Sequence, residues 1–432
     1  MITKQLINQI EGEATISFDI KDGVVDFATI AFPHFRGIES ILKRKDALDA
    51  LVITPRVCGI CGHAHLMATV RAIEDAYKNA GYRVELSKKV EIIREFTLVM
   101  EIIQNHFKWI YLTIIPEISK LIKPNQKQTP LKGAYAASIA SKAIAIFAGQ
   151  WPHSSYMIPG GITTDPTNVD ILKVESYVDE LINFFEKESI GISLETFLSF
   201  KSNKNFGGLK SDISFLENNL MNLNMDKKGF AHDRFLVLGK HTFSKPLKIE
   251  QTYPTSSDVK YVNITEAYSL NQVSYAKNAQ YGDIFYEAGP LSRTISNNLP
   301  IVKNIYRRSK DSAYTRVMSR IFELATLLQH AKNLLSKIDI SQKSYTQCMD
   351  ISKITAKGIG VVEAPRGPLL HLTDIKDGVI QEYKIVTPTQ FNIGSSTKEN
   401  PTPVQQAMRG TTKEEALFIF RTFDVCSVCT TH

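Results

Sequence analysis

Two stretches decide the fold: Arg56-Val57-Cys58-Gly59-Ile60-Cys61-Gly62-His63-Ala64-His65 and Asp424-Val425-Cys426-Ser427-Val428-Cys429-Thr430-Thr431-His432. Each contains a Cys-x-x-Cys pair, and two residues between the cysteines let both sulfurs turn toward one metal centre. Four thiolates together form a soft site suited to zinc, iron–sulfur or nickel. Because the pairs lie near opposite ends of the 432-residue chain, a shared site requires the two ends to meet in the buried centre of the fold.

Other interpretations of the four cysteines are open at this point. A structural zinc site is the general expectation for two such pairs, but zinc ribbons space their pairs by about 15–20 residues, far less than here. A thioredoxin-like redox pair explains neither the second pair nor the histidine at position 432. The fifth cysteine, Cys348, lies in neither stretch and is predicted to be a small buried apolar residue.

The composition is that of an ordinary soluble globular protein, with 43% hydrophobic and 22% charged residues. The net charge of +7 arises from 51 basic and 44 acidic residues spread along the chain, so a nucleic-acid partner is not expected. The sequence has no uninterrupted apolar stretch of membrane-spanning length, and its N-terminus lacks the layout of a signal peptide. These features predict a cytoplasmic protein without a transmembrane segment of its own, in a compartment where thiols stay reduced.

Alternating apolar residues flank an Asp-Gly dipeptide near both ends of the chain, in IKDGVV at 20–25 and IKDGVI at 375–380. This pattern predicts hairpins at about 14–32 and 371–388. The sequence between them shows mostly helical periodicity, as in the stretch that Ser87 opens, which should kink or end near Pro116. The predicted fold is therefore α+β and predominantly helical. It is one domain over 1–432, with a large helix-bundle core, peripheral hairpins and small sheets.

The two cysteine stretches resemble the paired signatures of nickel–iron hydrogenase large subunits, Arg-x-Cys-Gly-x-Cys-x-x-x-His and Asp-Pro-Cys-x-x-Cys-x-x-His. In that family four thiolates hold nickel, and two of them bridge to an iron that carries carbon monoxide and two cyanides. The resemblance implies that Cys58 and Cys426 are terminal nickel ligands and that Cys61 and Cys429 bridge nickel and iron. It also implies that His65 lies near a bridging sulfur and tunes the metals from outside their ligand set.

Two N-terminal segments extend the resemblance. Ile10-Glu11-Gly12-Glu13 resembles the family's Ile-Glu-Gly segment, which implies that Glu11 accepts the proton from a nickel-bound cysteine; partial burial can raise a carboxyl pKa as this role requires. Arg36-Gly37-Ile38-Glu39 resembles the family's Arg-Gly-x-Glu, whose glutamate helps bind a magnesium ion. Glu39, the Ile385 carbonyl and His432 are the implied ligands, a set that suits a hard octahedral ion.

A further segment, 363–371, looks like the family's Ala-Pro-Arg-Gly motif. The resemblance implies that Arg366 covers the open face of the metals and donates to a cyanide. Its guanidinium stays charged at any working pH, so it would be a fixed positive charge there. Asp424 is implied to pair with Arg366, and Thr389 matches a hydroxyl that also donates to cyanide.

Two positions depart from the family pattern. Val425 stands where many members have proline, so the turn before Cys426 is less restricted. The family's second aspartate above the metals has only a loose counterpart, and Asn105 and Glu117 are both candidates for its place.

The resemblance implies an enzyme: the catalytic large subunit of a nickel–iron hydrogenase, which cleaves dihydrogen heterolytically into protons and electrons. Because the chain has no spare cysteines for clusters of its own, the electrons would pass to an iron–sulfur small subunit, in a heterodimer or higher oligomer. The C-terminal stretch resembles the cytosolic uptake and sensor branch more than the periplasmic one, so a dihydrogen-sensing subunit is the alternative function. Any attachment to a membrane would be made through partners. A structural zinc-binding protein is the outside alternative, and the homologous subunit of respiratory complex I lacks these cysteines.

Overall fold

A computed structural model of the chain describes residues 2–7, 12–122, 131–203, 206, 208–245, 259–263, 266–267, 272–394 and 396–431. Its strands are β1 (Ile2–Ile7), β2 (Ala14–Lys21), β3 (Val24–Ala31), β4 (Met157–Ile158), β5 (Gly161–Ile162), β6 (Phe235–Leu236), β7 (Val259–Asn263), β8 (Glu266–Ala267), β9 (Gln272–Val273), β10 (Lys277–Tyr281), β11 (Glu287–Ala288), β12 (Ala356–Ala364), β13 (Gly367–Lys376) and β14 (Val379–Val386).

Its α-helices are α1 (Ile38–Leu42), α2 (Ala50–Ile53), α3 (Gly62–Asn79), α4 (Lys88–Lys108), α5 (Ile115–Ile122), α6 (Leu131–Ala148), α7 (Asn168–Phe184), α8 (Leu194–Ser199), α9 (Asp212–Asn222), α10 (Pro290–Ser296), α11 (Pro300–Ser309), α12 (Ala313–Leu335), α13 (Pro388–Asn392), α14 (Pro403–Met408) and α15 (Lys413–Thr422). Helix predominates and the sheets are small, which confirms the predicted α+β class.

The two long helices α4 and α12 form the middle of the helical core. Helix α4 packs against α3, α6 and α12, and α12 also packs against α7, α10 and α11. Ser87 caps the start of α4, where its hydroxyl accepts a hydrogen bond from the Val90 N–H. Such a cap satisfies one of the amide groups that a helix start leaves unpaired.

Pro116 does not end the helix that follows Ser87. A π-helical turn, Trp109–Ile114, comes first, and α5 then begins at Ile115 and runs through the proline. In this turn the hydrogen bonds run from residue i to i−5, as from the Ile115 N–H to the Ile110 carbonyl, so the backbone pattern changes directly before Pro116, which has no N–H to donate. The predicted break is therefore a local change of helix type.

The Asp-Gly turns join antiparallel strands at both predicted positions. The strands β2 and β3 pair around Asp22 and Gly23, whose φ angles are 50° and 80°. In the same way β13 and β14 pair around Asp377 and Gly378, with φ angles of 50° and 77°. Two successive positive φ angles are typical of the type I′ turn that favours Asp-Gly. The strand β1 extends the first hairpin into a sheet, and β12 extends the second.

Helix α3 lies very close to β12, which fixes the first cysteine pair against the C-terminal sheet. Gly358 and Gly360 make this approach possible, because a Cβ atom at these positions would lie 2.0 Å from the Ala72 carbonyl oxygen and 1.9 Å from that of Ala68. The closeness of helix and strand thus depends on the missing side chains.

One helix of the described residues, α6, is long and apolar enough to meet the length and composition expected of a membrane span. Half of it is buried, and it packs against α4 and α7.

Candidate metal centre

The first cysteine pair occupies the turn between a short 3₁₀ helix, Thr54–Val57, and the start of α3. Cys58 has an extended backbone, and Cys61 is the residue immediately before the helix. The N–H groups of Ile60 and Cys61 both point at the Cys58 Sγ, each at 3.3 Å. Backbone donors aimed at a sulfur favour its thiolate form.

The second pair follows α15 and a sharp turn at Asp424, which has a left-handed backbone with φ 58°. The Thr387 hydroxyl, in the segment after β14, donates to the Cys429 carbonyl at 2.6 Å. The C-terminal sheet and α15 therefore fix the position of this pair between them.

The two pairs meet in the buried core. The Sγ atoms of Cys58 and Cys426 are 3.7 Å apart, those of Cys61 and Cys429 are also 3.7 Å apart, and those of Cys426 and Cys429 are 2.9 Å apart. All four cysteines are buried and free of disulfides. Burial raises the pKa of Cys58, but hydrogen bonds from Cys426, Cys429 and Cys61 bring it well below its ordinary value. The pKa of Cys429 lies well above its ordinary value because of Cys426, Cys58 and Cys61. So many crowded sulfurs can all be thiolates only beside a cation.

A small cavity adjoins Cys61 and Cys429, and His65, Arg366 and Thr389 line it together with apolar side chains. Arg366 Nη1 and Thr389 Oγ1 are buried and have no hydrogen-bond partner among the described residues. Buried donors without partners are costly, so their position indicates that a hydrogen-bond acceptor belongs in the cavity. His65 is held by His371, whose Nε2 lies 3.0 Å from its Nδ1.

Arg366 is fixed above the sulfurs by Asp424. Its Nε donates to the Asp424 carbonyl at 2.8 Å and its Nη2 to the Oδ1 at 3.1 Å. Arg320 approaches the same carboxylate from α12, with its Nη1 2.6 Å from Oδ2. Burial raises the pKa of Asp424, but the two guanidinium groups hold it below its ordinary value.

Asn105 stands beside this ion pair, and Glu117 does not. With the amide turned so that each atom meets a partner, Asn105 donates to Asp424 Oδ2 at 3.0 Å and accepts from Arg366 Nη2 at 3.3 Å. Glu117 instead pairs with Lys120 on α5, 2.7 Å away. Of the two candidates left open by the sequence, the structure places only Asn105 above the cysteines.

Glu101 was not recognised from the sequence as part of the site. Its carboxylate is fully buried and accepts hydrogen bonds from the N–H groups of His63 at 2.8 Å and Ala64 at 3.0 Å. Burial raises its pKa to about 8, against the lowering effect of these two hydrogen bonds. Glu101 thus caps the first turn of α3, directly after Cys61, and the only signal in the sequence was a charged residue within an apolar helix.

The N-terminal candidate lies partly outside the described residues. Glu11 itself is not among them. Its neighbour Gly12 has a φ of 86° and packs so closely on the second pair that a Cβ atom there would lie 2.9 Å from a Val428 methyl carbon. The Ser427 hydroxyl donates to the Glu13 carbonyl at 2.5 Å. The described end of this segment therefore contacts the loop between Cys426 and Cys429.

One of the implied magnesium ligands, Glu39, is met by a different cation. Glu39 Oε1 accepts the Ile385 N–H at 2.8 Å, and Glu39 Oε2 lies 2.5 Å from the Nζ of Lys277. His432 lies outside the described residues. With the Lys277 ammonium against Oε2, Glu39 does not fit a magnesium site as it stands, because a positive charge already occupies the space beside the carboxylate that the ion would need.

The fold and the site define a protein with a buried metal centre of cysteine thiolates. Comparison with known proteins narrows the class. The chain matches the family model described as nickel-dependent hydrogenase over residues 36–114 and 131–432. It is similar to the periplasmic NiFeSe hydrogenase large subunit of Desulfomicrobium baculatum, with 26% identity over 94% of this chain and 88% of that protein. Sulfhydrogenase 2 subunit alpha of Pyrococcus furiosus is 24% identical over 98% and 97%.

Among solved structures, the reduced, active form of the Ni-Fe-Se hydrogenase from Desulfomicrobium baculatum shares the fold, with a TM-score of 0.82, 22% identity and full coverage of both chains. The chain belongs to the nickel-dependent hydrogenase family. It is a large subunit and an oxidoreductase that acts on dihydrogen.

Proposed function

We propose that this large subunit oxidises dihydrogen at a nickel–iron centre whose iron carries carbon monoxide and two cyanides. The observation that carries the proposal is the meeting of four buried sulfurs beside a cavity lined by Arg366 and Thr389, whose Nη1 and Oγ1 have no partner among the residues that the structure describes. Thiolates suit nickel and iron, and cyanide is a hydrogen-bond acceptor. The chemistry that such a centre supplies when bound is heterolytic cleavage of dihydrogen.

The proposed ligand roles follow the order of each pair. In this proposal Cys58 and Cys426 would hold the nickel, and Cys61 and Cys429 would hold both the nickel and the iron. The second members of the pairs are the ones that line the cavity, which supports an iron on that side. His65 lines it as well and supports the orientation of the bridging sulfurs.

Glu11 is proposed to be the first group that accepts a proton from a metal-bound cysteine. Its support is the contact between Gly12 and Val428, since this contact brings the segment to the loop of the second pair.

Arg366 and Asp424 have a different role. Held by Asp424 and always charged, Arg366 provides fixed positive charge over the sulfurs and excludes water from that side.

The electrons are proposed to leave through an iron–sulfur small subunit. Four of the five cysteines meet at the centre, which leaves only Cys348, too few to hold a cluster in this chain. Three large apolar side chains in the segments before the first pair, Phe35, Ile41 and Val52, are each about half exposed. Arg36 connects this part of the chain to the first pair, because it donates to the carbonyl of Arg56, two residues before Cys58. These exposed side chains are consistent with a partner subunit on this side.

Residues 1–432 are proposed to form one domain, because a single buried core contains both cysteine pairs and the helices around them.

A cytoplasmic location, with any membrane contact made through partners, completes the proposal. Magnesium has no part in it, because Lys277 already neutralises Glu39.

The decisive experiment is an infrared spectrum of the purified, nickel-loaded protein. We expect bands from iron-bound carbon monoxide and cyanide, and a Cys429→Ser sample, which lacks a bridging ligand, should show none. A nickel-loaded wild-type protein without these bands would contradict the proposed centre and favour a simpler thiolate site. Dye reduction under dihydrogen then separates an uptake enzyme, which turns over rapidly, from a sensing subunit with the same spectrum and slow turnover.

A further inference from the structure

Glu39 lies where three elements meet, close to the last described residues. Its helix α1 packs against β14, where the Ile385 N–H donates to Oε1 at 2.8 Å. Lys277 approaches from the start of β10, with its Nζ 2.5 Å from Oε2. The side chains of Glu39 and Lys277 are only 17% and 27% exposed, so this ion pair is partly shielded from water.

The ammonium group and a divalent ion exclude one another at this carboxylate. A magnesium ion binds oxygen atoms at about 2.0–2.1 Å and keeps several waters in an octahedral shell. A protonated lysine has three N–H donors and no lone pair to offer a metal. Where its nitrogen contacts Oε2, it fills the space such an ion would need, and the two positive charges repel each other.

The segment that follows the second cysteine pair is already anchored by protein groups. The Arg36 N–H donates to the Thr431 carbonyl at 3.0 Å. The Thr387 hydroxyl donates to the Cys429 carbonyl at 2.6 Å, and the Gln390 amide donates to the Thr430 carbonyl at 3.4 Å. Side chains and backbone thus supply the anchoring that a bound ion would otherwise provide.

We propose that the ammonium group of Lys277 takes the place of a divalent cation at Glu39, so that this chain needs no magnesium there. The lysine is a counter-ion attached to the chain. It cannot be removed by a chelator, and its charge of +1 matches one carboxylate. The proposal does not depend on the nickel–iron centre, because metal content and thermal unfolding report on it directly.

The first measurement uses the wild-type protein as isolated with its partner subunit. We expect no stoichiometric magnesium after gel filtration and the same unfolding midpoint with and without EDTA. Nickel is measured in parallel, so that loss of the buried centre is not mistaken for loss of magnesium. One magnesium per chain, with a lower midpoint after its removal, would overturn the proposal.

The second measurement uses a variant whose stability should again depend on magnesium. Lys277→Ala removes the ammonium group from the Glu39 carboxylate and opens space beside it. We expect its unfolding midpoint to fall by several degrees in EDTA and to recover in millimolar magnesium. Lys277→Arg, which keeps the charge, should behave as the wild type does. Lys357→Ala is the matched control, because it breaks another strand ion pair, 3.7 Å from Asp374 and far more exposed, and should not respond to magnesium.

The variants give a clear decision. A Lys277→Ala midpoint that is the same with and without magnesium would show that the ammonium does not stand in for a divalent ion. If Lys277→Ala does not fold even with magnesium present, the wild-type measurement and Lys277→Arg still decide: a chelator-sensitive midpoint in either one contradicts the proposal, and insensitive midpoints in both support it.

Discussion

At the scale of single residues, the four buried thiols are the groups on which the proposed centre depends. Replacing Cys58, Cys61, Cys426 or Cys429 with serine should abolish nickel retention and dihydrogen oxidation, because oxygen is a harder and poorer donor for this centre. Nickel per chain and dye reduction are the measurements. Cys348→Ser is the control: this thiol is half-buried and contacts the Thr346 carbonyl, so the variant should keep its activity. An essential Cys348 beside a dispensable member of the four would contradict the ligand assignment.

Asn105 is the residue whose neutral amide stands against both Arg366 and Asp424. Asn105→Leu keeps much of the volume and removes both hydrogen bonds, so Arg366 loses one of its fixed contacts. We expect turnover to fall by about tenfold, which is the cost of roughly one charged hydrogen bond, while nickel content stays unchanged. Glu117→Gln is the comparison variant and should be fully active. Equal losses of turnover in both variants would contradict a specific role for Asn105 beside Arg366 and Asp424.

Much of the site could be predicted from single residues, and the resemblance supplied the Arg366–Asp424 pair, but the other distant partners could not be predicted. The cysteines belong to short motifs that any reader of the sequence can find. The Lys277–Glu39 contact joins residues 238 apart, and the Arg320–Asp424 contact joins residues 104 apart. Spacing and composition carry no information about which distant lysine or arginine packs against a given carboxylate. Glu101 escaped notice for the same reason.

At the scale of elements, prediction worked best where the determining contacts are local. Both Asp-Gly hairpins follow from two residues that favour positive φ, and α4 follows from its cap at Ser87. The π-helical turn before Pro116 was missed, because the sequence shows a proline but not how the preceding turn adjusts. The placement of α3 on β12 also depends on packing between distant segments.

Glu101 connects two elements, since it lies on α4 and caps α3. Glu101→Ala leaves two buried N–H groups without acceptors and should lower the free energy of unfolding by about 2–4 kcal/mol. Nickel retention should fall as well, because the first turn of α3 orients Cys61. Chemical denaturation and nickel analysis test this. Glu91→Ala, on the same helix in an exposed pair with Lys88, should change neither quantity. Full nickel occupancy in a stable Glu101→Ala protein would refute the positioning role.

Gly360 sets the distance between α3 and β12. In Gly360→Ala the new methyl group would lie 1.9 Å from the Ala68 carbonyl oxygen, and a helix backbone cannot move aside as a flexible side chain can. We expect a loss of at least about 3 kcal/mol in stability, the upper part of the range for overpacked cores, or failure to fold. Gly208→Ala has open space around the added methyl group and serves as the control. Similar unfolding curves for the two variants would contradict the close packing.

At the scale of the whole molecule, Arg293 joins distant parts of the chain through buried charges. It lies on α10 and donates to Glu323 of α12 at 2.7 Å and to Glu363 of β12 at 3.1 Å. One guanidinium cannot neutralise two carboxylates. The pKa of Glu323 falls to about 2 despite burial because of Arg293, whereas burial raises that of Glu363 to about 7.

This imbalance predicts a pH-dependent stability. The folded chain holds the Glu363 proton more tightly than the unfolded chain does, so the free energy of unfolding should fall as pH rises from about 4.5 to about 7. The fall is of the order of 3 kcal/mol, from about 1.4 kcal/mol per unit of pKa. Glu363→Gln should flatten the curve over this window, as followed by thermal unfolding. Glu382→Gln, half exposed on β14, should leave it unchanged. An unaltered slope in Glu363→Gln would assign the effect to other groups.

The convergence of the two cysteine pairs also has a consequence for chain entropy. A metal held by both pairs links residues 368 positions apart and closes most of the polypeptide into one covalent ring. By the loop-closure relation used for disulfides, a ring of this size lowers the conformational entropy of the unfolded ensemble, which stabilises the folded state by about 6 kcal/mol. This amount is comparable to the whole net stability of many domains. A chain without its metals would lack this cross-link, so we expect metal loading to add this constraint to a chain that is otherwise held by noncovalent contacts.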